Sequence, residues 1–317
     1  MSLIHHPAFQ SLGLPLLLTL VLTWLLGRRA EPPANRSWAM GAAIALLLSF
    51  VLLPGFDWPA TARTQKLPWI VLGGTGLASL WLSLQTRQPG RWMRWATATA
   101  GWALACIWLT GNPVQWMHAL LGTLAGAVVL AMLLMGVGAN ASTRGAHANP
   151  GSHAQVAAGG AATAGALTVA ALGLAAIAAG SGSLLLAQLA MMLAVVTAVP
   201  GLWAWLRSAS GFVIVPAALL PLGLAWLVLA YALAVTGPSA AARMAIIALA
   251  FVAPVLVARS SWAASHTRWA PLVAAFLAAL PVVVALTWLL LGEAPPAGAD
   301  SATGGAEDDL YYQPNWD

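Results

Sequence analysis

Ten stretches of mostly apolar sequence, nearly free of charge, follow one another along this chain of 317 residues, at 8–27, 37–54, 68–85, 93–111, 114–137, 156–180, 183–206, 212–236, 243–259 and 270–291. A segment of about 20 such residues spans the roughly 30 Å hydrocarbon core of a bilayer. The runs are continuous and lack the alternation of a membrane barrel, so each reads as a helix whose backbone hydrogen bonds close within the segment. The expected fold is all-α, a transmembrane helix bundle of about ten spans.

Apolar residues make up 61% of the chain and charged residues 7%, which no ordinary water-soluble fold tolerates. The 13 basic residues are dispersed over short loops and form no stripe, so a basic isoelectric point here signals membrane retention and no nucleic-acid partner. The first ten residues contain no Lys or Arg, and Arg28 and Arg29 follow the first apolar run, the pattern of an anchor that is kept and not of a cleaved leader.

Loops are numbered here by the span they follow. Odd-numbered loops hold Arg28, Arg29, Arg36, Arg87, Arg91, Arg94, Arg144, Arg207, Arg259 and Arg268, whereas even-numbered loops hold Arg63, Lys66 and Arg243, a split of ten to three. The sixth segment is unusually rich in Ala and Gly and the ninth is short. Removing either as a span inverts every later loop and degrades the split to eight against five. The positive-inside rule therefore favours ten crossings, odd loops in the cytoplasm and both termini outside. With twelve Arg, one Lys and heavy Ala and Gly usage, the expected location is a bacterial cytoplasmic (inner) membrane. Trp38, Trp58, Trp69, Trp92, Trp95, Trp116, Trp203, Trp205, Trp262 and Trp269 lie at or near span ends, where indoles anchor at the headgroup level.

Two regions are distinguished, a helix bundle over 1–291 and a tail over 292–317. The tail carries six of the eight acids, no basic residue and two of the three tyrosines. Its Pro, Ala, Gly and Ser content buries no core, but Glu307, Asp308, Asp309, Tyr311, Tyr312 and Trp316 have the composition of a docking segment. A contact between Glu307–Asp309 and Arg63, Lys66 or Arg243 fits the outward placement of both. The outward loop before the third span adds Asp57 beside Arg63 and Lys66.

Inside the spans, polar chemistry is sparse. Gln188 is the amide deepest in an apolar run, read first as a helix–helix hydrogen bond and second as a substrate contact. His118 follows Asn112-Pro113 and is expected near the outer end of the fifth helix, and no second intraspan His offers the other axial ligand that a buried haem needs. The single cysteine, Cys106, excludes a disulfide framework or a Cys-rich metal site within one chain. No cofactor, metal or catalytic constellation is expected. Gly122 and Gly126 form a GxxxG match, read as close helix packing. Pro200, Pro216, Pro221, Pro254 and Pro281 fall within spans of the second half and are compatible with helices broken around a cavity.

Three functional classes remain. A noncatalytic membrane subunit or assembly factor, whose outward tail docks a membrane or periplasmic protein, ranks first. A permease or exporter for a small neutral or lipophilic solute is the alternative, opposed by the lack of intramembrane carboxylates. A membrane enzyme ranks last.

Overall fold

The computed structural model describes residues 9–28, 38, 40–52, 55, 58–83, 90–111, 113–138, 150–207 and 213–292. Among them every regular element is helical. The helices are α1 (Leu14–Arg28, entered through a π turn at Phe9–Gly13), α2 (Met40–Leu52), α3 (Arg63–Ser83), α4 (Arg91–Thr110), α5 (Trp116–Gly138), α6 (Pro150–Gly180), α7 (Leu184–Leu206), α8 (Pro216–Ala234), α9 (Pro238–Ala248), α10 (Val252–Arg259), α11 (Ser261–Ser265) and α12 (Ala270–Gly292).

Each of the ten apolar segments is helical, and seven meet the length and composition of a membrane span: Phe9–Gly27, Trp116–Val137, Gln155–Gly180, Leu184–Leu206, Pro216–Ala234, Pro238–Arg259 and Ala270–Gly292. The chain is thus a multi-pass, membrane-type helical protein. The other three fall short for different reasons. α2 has 13 residues. α3 opens with Arg63, Thr64, Gln65 and Lys66 and carries Gly73, Gly74 and Gly76, and α4 includes Arg91, Arg94 and three threonines.

Proline explains where the boundaries depart from the sequence reading. The ninth segment, expected from residue 243, begins at Pro238 in the first helical position, and Pro238–Arg259 is 22 residues long. Proline suits that position because its missing N–H has no partner there in any helix. Pro216 likewise opens α8 and is not inside it. Pro254 has no N–H to offer the Ala250 carbonyl four residues back, and the chain crosses Leu249–Phe251 as a 3-10 turn between α9 and α10. Pro200, Pro221 and Pro281 lie within continuous helices.

α8 forms the centre of the bundle, 94% of its span window being buried. Trp226, 2% exposed, meets Phe251 edge to face with ring centroids 4.9 Å apart. The outer helices reverse this pattern: α12 turns Phe276, Leu290 and Leu291 outward, as expected where the surrounding solvent is hydrocarbon.

Glycine sets how closely helices approach and in which direction. The GxxxG face of α5 receives Trp102 of α4: its indole N–H donates to the Gly122 carbonyl at 2.9 Å, and a Cβ on Gly126 would overlap that ring. Trp95 Nε1 donates to the Ala127 carbonyl at 3.3 Å. The motif is filled from within the chain. Gly165, Gly173 and Gly180 of α6 face Ala275, Val282 and Leu289 of α12, both series ascending, so α6 and α12 run parallel. Thr168 bonds Thr197 at 2.9 Å while Gly201 meets Ala164, making α6 and α7 antiparallel. Gly74 of α3 lies against Pro221 and Leu224, and Gly122 and Gly223 match Tyr231 and Leu133 in opposite order between α5 and α8.

One anchoring expectation fails. Trp38 is 0% exposed and belongs to the core, whereas Trp58, Trp92, Trp116, Trp262 and Trp269 are exposed.

Candidate functional site

The ends of α3, α4, α7 and α8 meet around one open pocket, and local sequence explains each wall. Gln65 reaches back over the start of α3, its Oε1 accepting from Thr61 N at 3.1 Å, Ala62 N at 3.0 Å and Thr61 Oγ1 at 3.2 Å. These bonds satisfy donors that a helix start leaves unpaired. The first turn of α3 is thereby fixed, and with it Arg63 and Lys66.

Lys66 is only 5% exposed. Its Nζ donates to the Trp108 carbonyl at 2.7 Å and lies 5.5 Å from the centroid of the Trp108 ring. That carbonyl also accepts from Gly111 N at 3.3 Å. It belongs to the last turn of α4, the negative end of the helix dipole, where a cation is favoured. Gly111 ends α4 at φ 82 and ψ −160, a conformation that is essentially reserved for glycine. Burial, and then the nearby Arg63 charge, hold the Lys66 ammonium below the usual lysine range.

The pocket encloses about 480 Å³ and is bounded by Thr61, Arg63, Thr64 and Lys66 on one side and by Leu109, Thr110, Gly111, Leu186 and Ala232 on the others. Arg63 is exposed at its mouth. A buried ammonium, an exposed guanidinium and three hydroxyl side chains make this an arrangement for recognising an anion. No Asp or Glu stands among the described residues, so no carboxylate there neutralises it.

The remaining expected residues are scattered. His118 is exposed at the start of α5, and its ring Nδ1 is 2.6 Å from Gln115 Oε1. Among the described residues, no group of three or more His, Cys, Asp or Glu is placed to hold a metal. Gln188 is half-buried in the second turn of α7, nearer the helix end than the middle of the apolar run suggests, and the hydrogen bond joining α6 to α7 is made by Thr168 and Thr197. The Arg243 Nε is buried and has no hydrogen-bond partner among the described residues. Asp57 and the tail residues Glu307, Asp308, Asp309, Tyr311, Tyr312 and Trp316 lie outside the described residues.

The opposite end of the bundle treats its charges differently. The Arg207 guanidinium stands over the Trp203 ring at 4.9 Å, Trp205 Nε1 donates to the Arg268 carbonyl at 2.8 Å, and Trp262 stacks on His266 at 4.8 Å. A cavity of about 40 Å³ there is lined mainly by alanines with Gln155, Pro254 and Thr267.

No family model, curated protein or solved structure matches this chain. The pairing of Lys66 with Trp108 was not evident from sequence, because hydropathy assigns every lysine to a loop. The signal was nonetheless present. Gly111, with Pro113 two residues on, marks a helix end whose free carbonyls face the only lysine of the chain.

Proposed function

We propose that this chain is a noncatalytic subunit or assembly factor of a bacterial cytoplasmic membrane, crossing it ten times with both termini outside. Its bundle, 1–291, packs in the lipid bilayer and against membrane partners, and its tail, 292–317, docks a periplasmic protein. The observation that carries the reading is the pocket at Lys66. It gathers the ends of four helices, next to loops 2, 4, 6 and 8, into one cationic surface.

The ten-crossing reading is supported by helix direction. Parallel α6 and α12 need an odd number of crossings between them, as α7, α8 and the α9–α10 unit supply. Basic residues at the other end, among them Arg94, Arg207, Arg259 and Arg268, support a cytoplasmic position for it. A noncatalytic role is supported by an interior given over to packing, with indoles seated on glycines and hydroxyls bonded back to their own helices.

The permease reading requires an aqueous path at the prolines. Pro221 instead packs against Gly74 of α3, and the cavity beside Pro254, about 40 Å³, has room for only a few waters. Gentle solubilisation of a tagged full-length copy should co-purify a membrane or periplasmic protein at fixed stoichiometry. Recovery of a lone monomer from native membranes would count against the proposal.

A further inference from the structure

We propose that the acidic segment Glu307–Asp309 of this chain's own tail docks in the pocket between Arg63 and Lys66. The inference deepens the functional reading above by naming what fills the pocket before a partner does, and it rests on that reading only in taking the tail as the docking element.

Charge is the first argument. The described residues contain no acid, six of the eight acids of the chain lie in 292–317, and three of those are consecutive at Glu307, Asp308 and Asp309. Arg63 stands exposed at the pocket mouth with Lys66 behind it. A guanidinium donates paired hydrogen bonds to a carboxylate, and a carboxylate between Arg63 and Lys66 meets two cations that no carboxylate among the described residues neutralises.

Geometry is the second. Because α12 runs parallel to α6, Leu289 lies beside Gly180, and Gly292 ends at the same end of the bundle. The short turn 181–183 leads directly to α7, whose Leu186 forms part of the pocket wall. α12 packs on α6, α6 on α8 and α8 on α3, so up to three helix spacings of about 8–10 Å each separate Gly292 from Arg63 and Lys66. The 15 residues from Gly292 to Glu307, rich in Gly, Ala, Ser and Pro, have a coil dimension of roughly 20 Å. Fully extended it reaches about 50 Å, so the linker spans the gap. Such a tether gives an effective concentration on the order of millimolar, enough for contacts that would be too weak between separate molecules. Tyr311 and Tyr312 would then lie near Trp58, which is 75% exposed three residues before Thr61 and is braced edge to face on Trp69 at 5.5 Å.

Disulfide trapping tests this in the full-length protein. Thr64→Cys is paired with Leu310→Cys, leaving both sets of charges intact and the buried Cys106 in place. The expected result is a cross-link within one chain that forms at least about fivefold faster than in the same pair carrying Glu307→Gln, Asp308→Asn and Asp309→Asn, and that slows in about 0.5 M salt. Arg207→Cys with Leu310→Cys should stay unlinked. An unchanged rate after neutralising the acids would overturn the proposal, leaving the pocket to another anion such as a lipid phosphate. So would a cross-link between two chains, or equally fast capture of position 310 by Arg243→Cys. Thermal unfolding of the doubly substituted protein, unchanged from wild type, verifies the fold. Trapping without a co-purified partner would sink the functional reading alone, and a partner without trapping would sink this one alone.

Discussion

The two ends of this bundle use the same residue types for opposite purposes. At the pocket-bearing end three of the four connections are short, 111–115, 181–183 and 235–237, two of which turn through glycines at positive φ, Gly111 and Gly182, while the fourth, 53–62, is longer and leads into α3. There the lysine is buried, its ammonium tied to a helix terminus. At the other end all five connections, 29–39, 84–90, 139–149, 207–215 and 260–269, are longer than those three short ones, and Arg207 lies exposed on an indole face. Short turns bring the ends of α4, α7 and α8 together around the pocket. The cation at the first end is part of the packed structure, and at the second it sits on the surface.

That difference predicts a graded set of effects on unfolding in detergent micelles. Lys66→Glu places a buried acid against a carbonyl at the negative end of a helix and should destabilise by about 3–5 kcal/mol. Arg207→Glu, at the exposed end, should cost less than about 1 kcal/mol. Lys66→Met should be nearly neutral, since Gly111 still satisfies the Trp108 carbonyl and the desolvation cost is removed. Equal losses for the two glutamate variants would erase the distinction between the ends.

Next in size, Gly111→Ala should cost about 1–3 kcal/mol, because an L side chain is strained at that backbone geometry. Calorimetry or fluorescence-detected melting is the check. Trp205→Phe removes one indole hydrogen bond to Arg268 and should cost about 0.5–1.5 kcal/mol while leaving the Lys66 pocket intact.

The smallest effect is in pH. The folded-state pKa of Lys66 is depressed by burial and by Arg63. Between that lowered value and the ordinary 10.5, the unfolded chain binds more protons, so the Lys66 contribution makes stability rise with pH through this window. Relative to Lys66→Met, wild type should therefore gain stability across this window. A constant difference up to pH about 10.5 would mean that the ammonium is as well solvated as in water.

Much of the bundle was legible because apolar length is a one-dimensional property. All ten segments are helices, and Gly237-Pro238 could have marked the true start of the ninth, as could Val215-Pro216 that of α8. What was hidden depends on which side chain meets which. Trp92 and Trp38 both sit near span ends, yet one is exposed and one is buried. Gly126 advertised a close approach without naming Trp102, which comes from 24 positions earlier in the chain. Gln188 looked deep in its run, but the polar bond between α6 and α7 is made by two threonines whose hydroxyls also bond back to their own helices. Arg63 and Lys66 were visible as loop cations. Their pocket was not, because three of its four walls come from other helices.

The central claim, a pocket-bearing face outside together with the tail and an arginine-rich face inside, is tested most directly by thiol labelling of intact cells with a membrane-impermeant reagent. Cys106 is buried and supplies an unlabelled background. Arg63→Cys and Ser301→Cys are predicted to label from outside, and Arg94→Cys and Arg207→Cys only after permeabilisation. Labelling of positions 63 and 301 from opposite sides, or of position 207 from outside, would contradict the account.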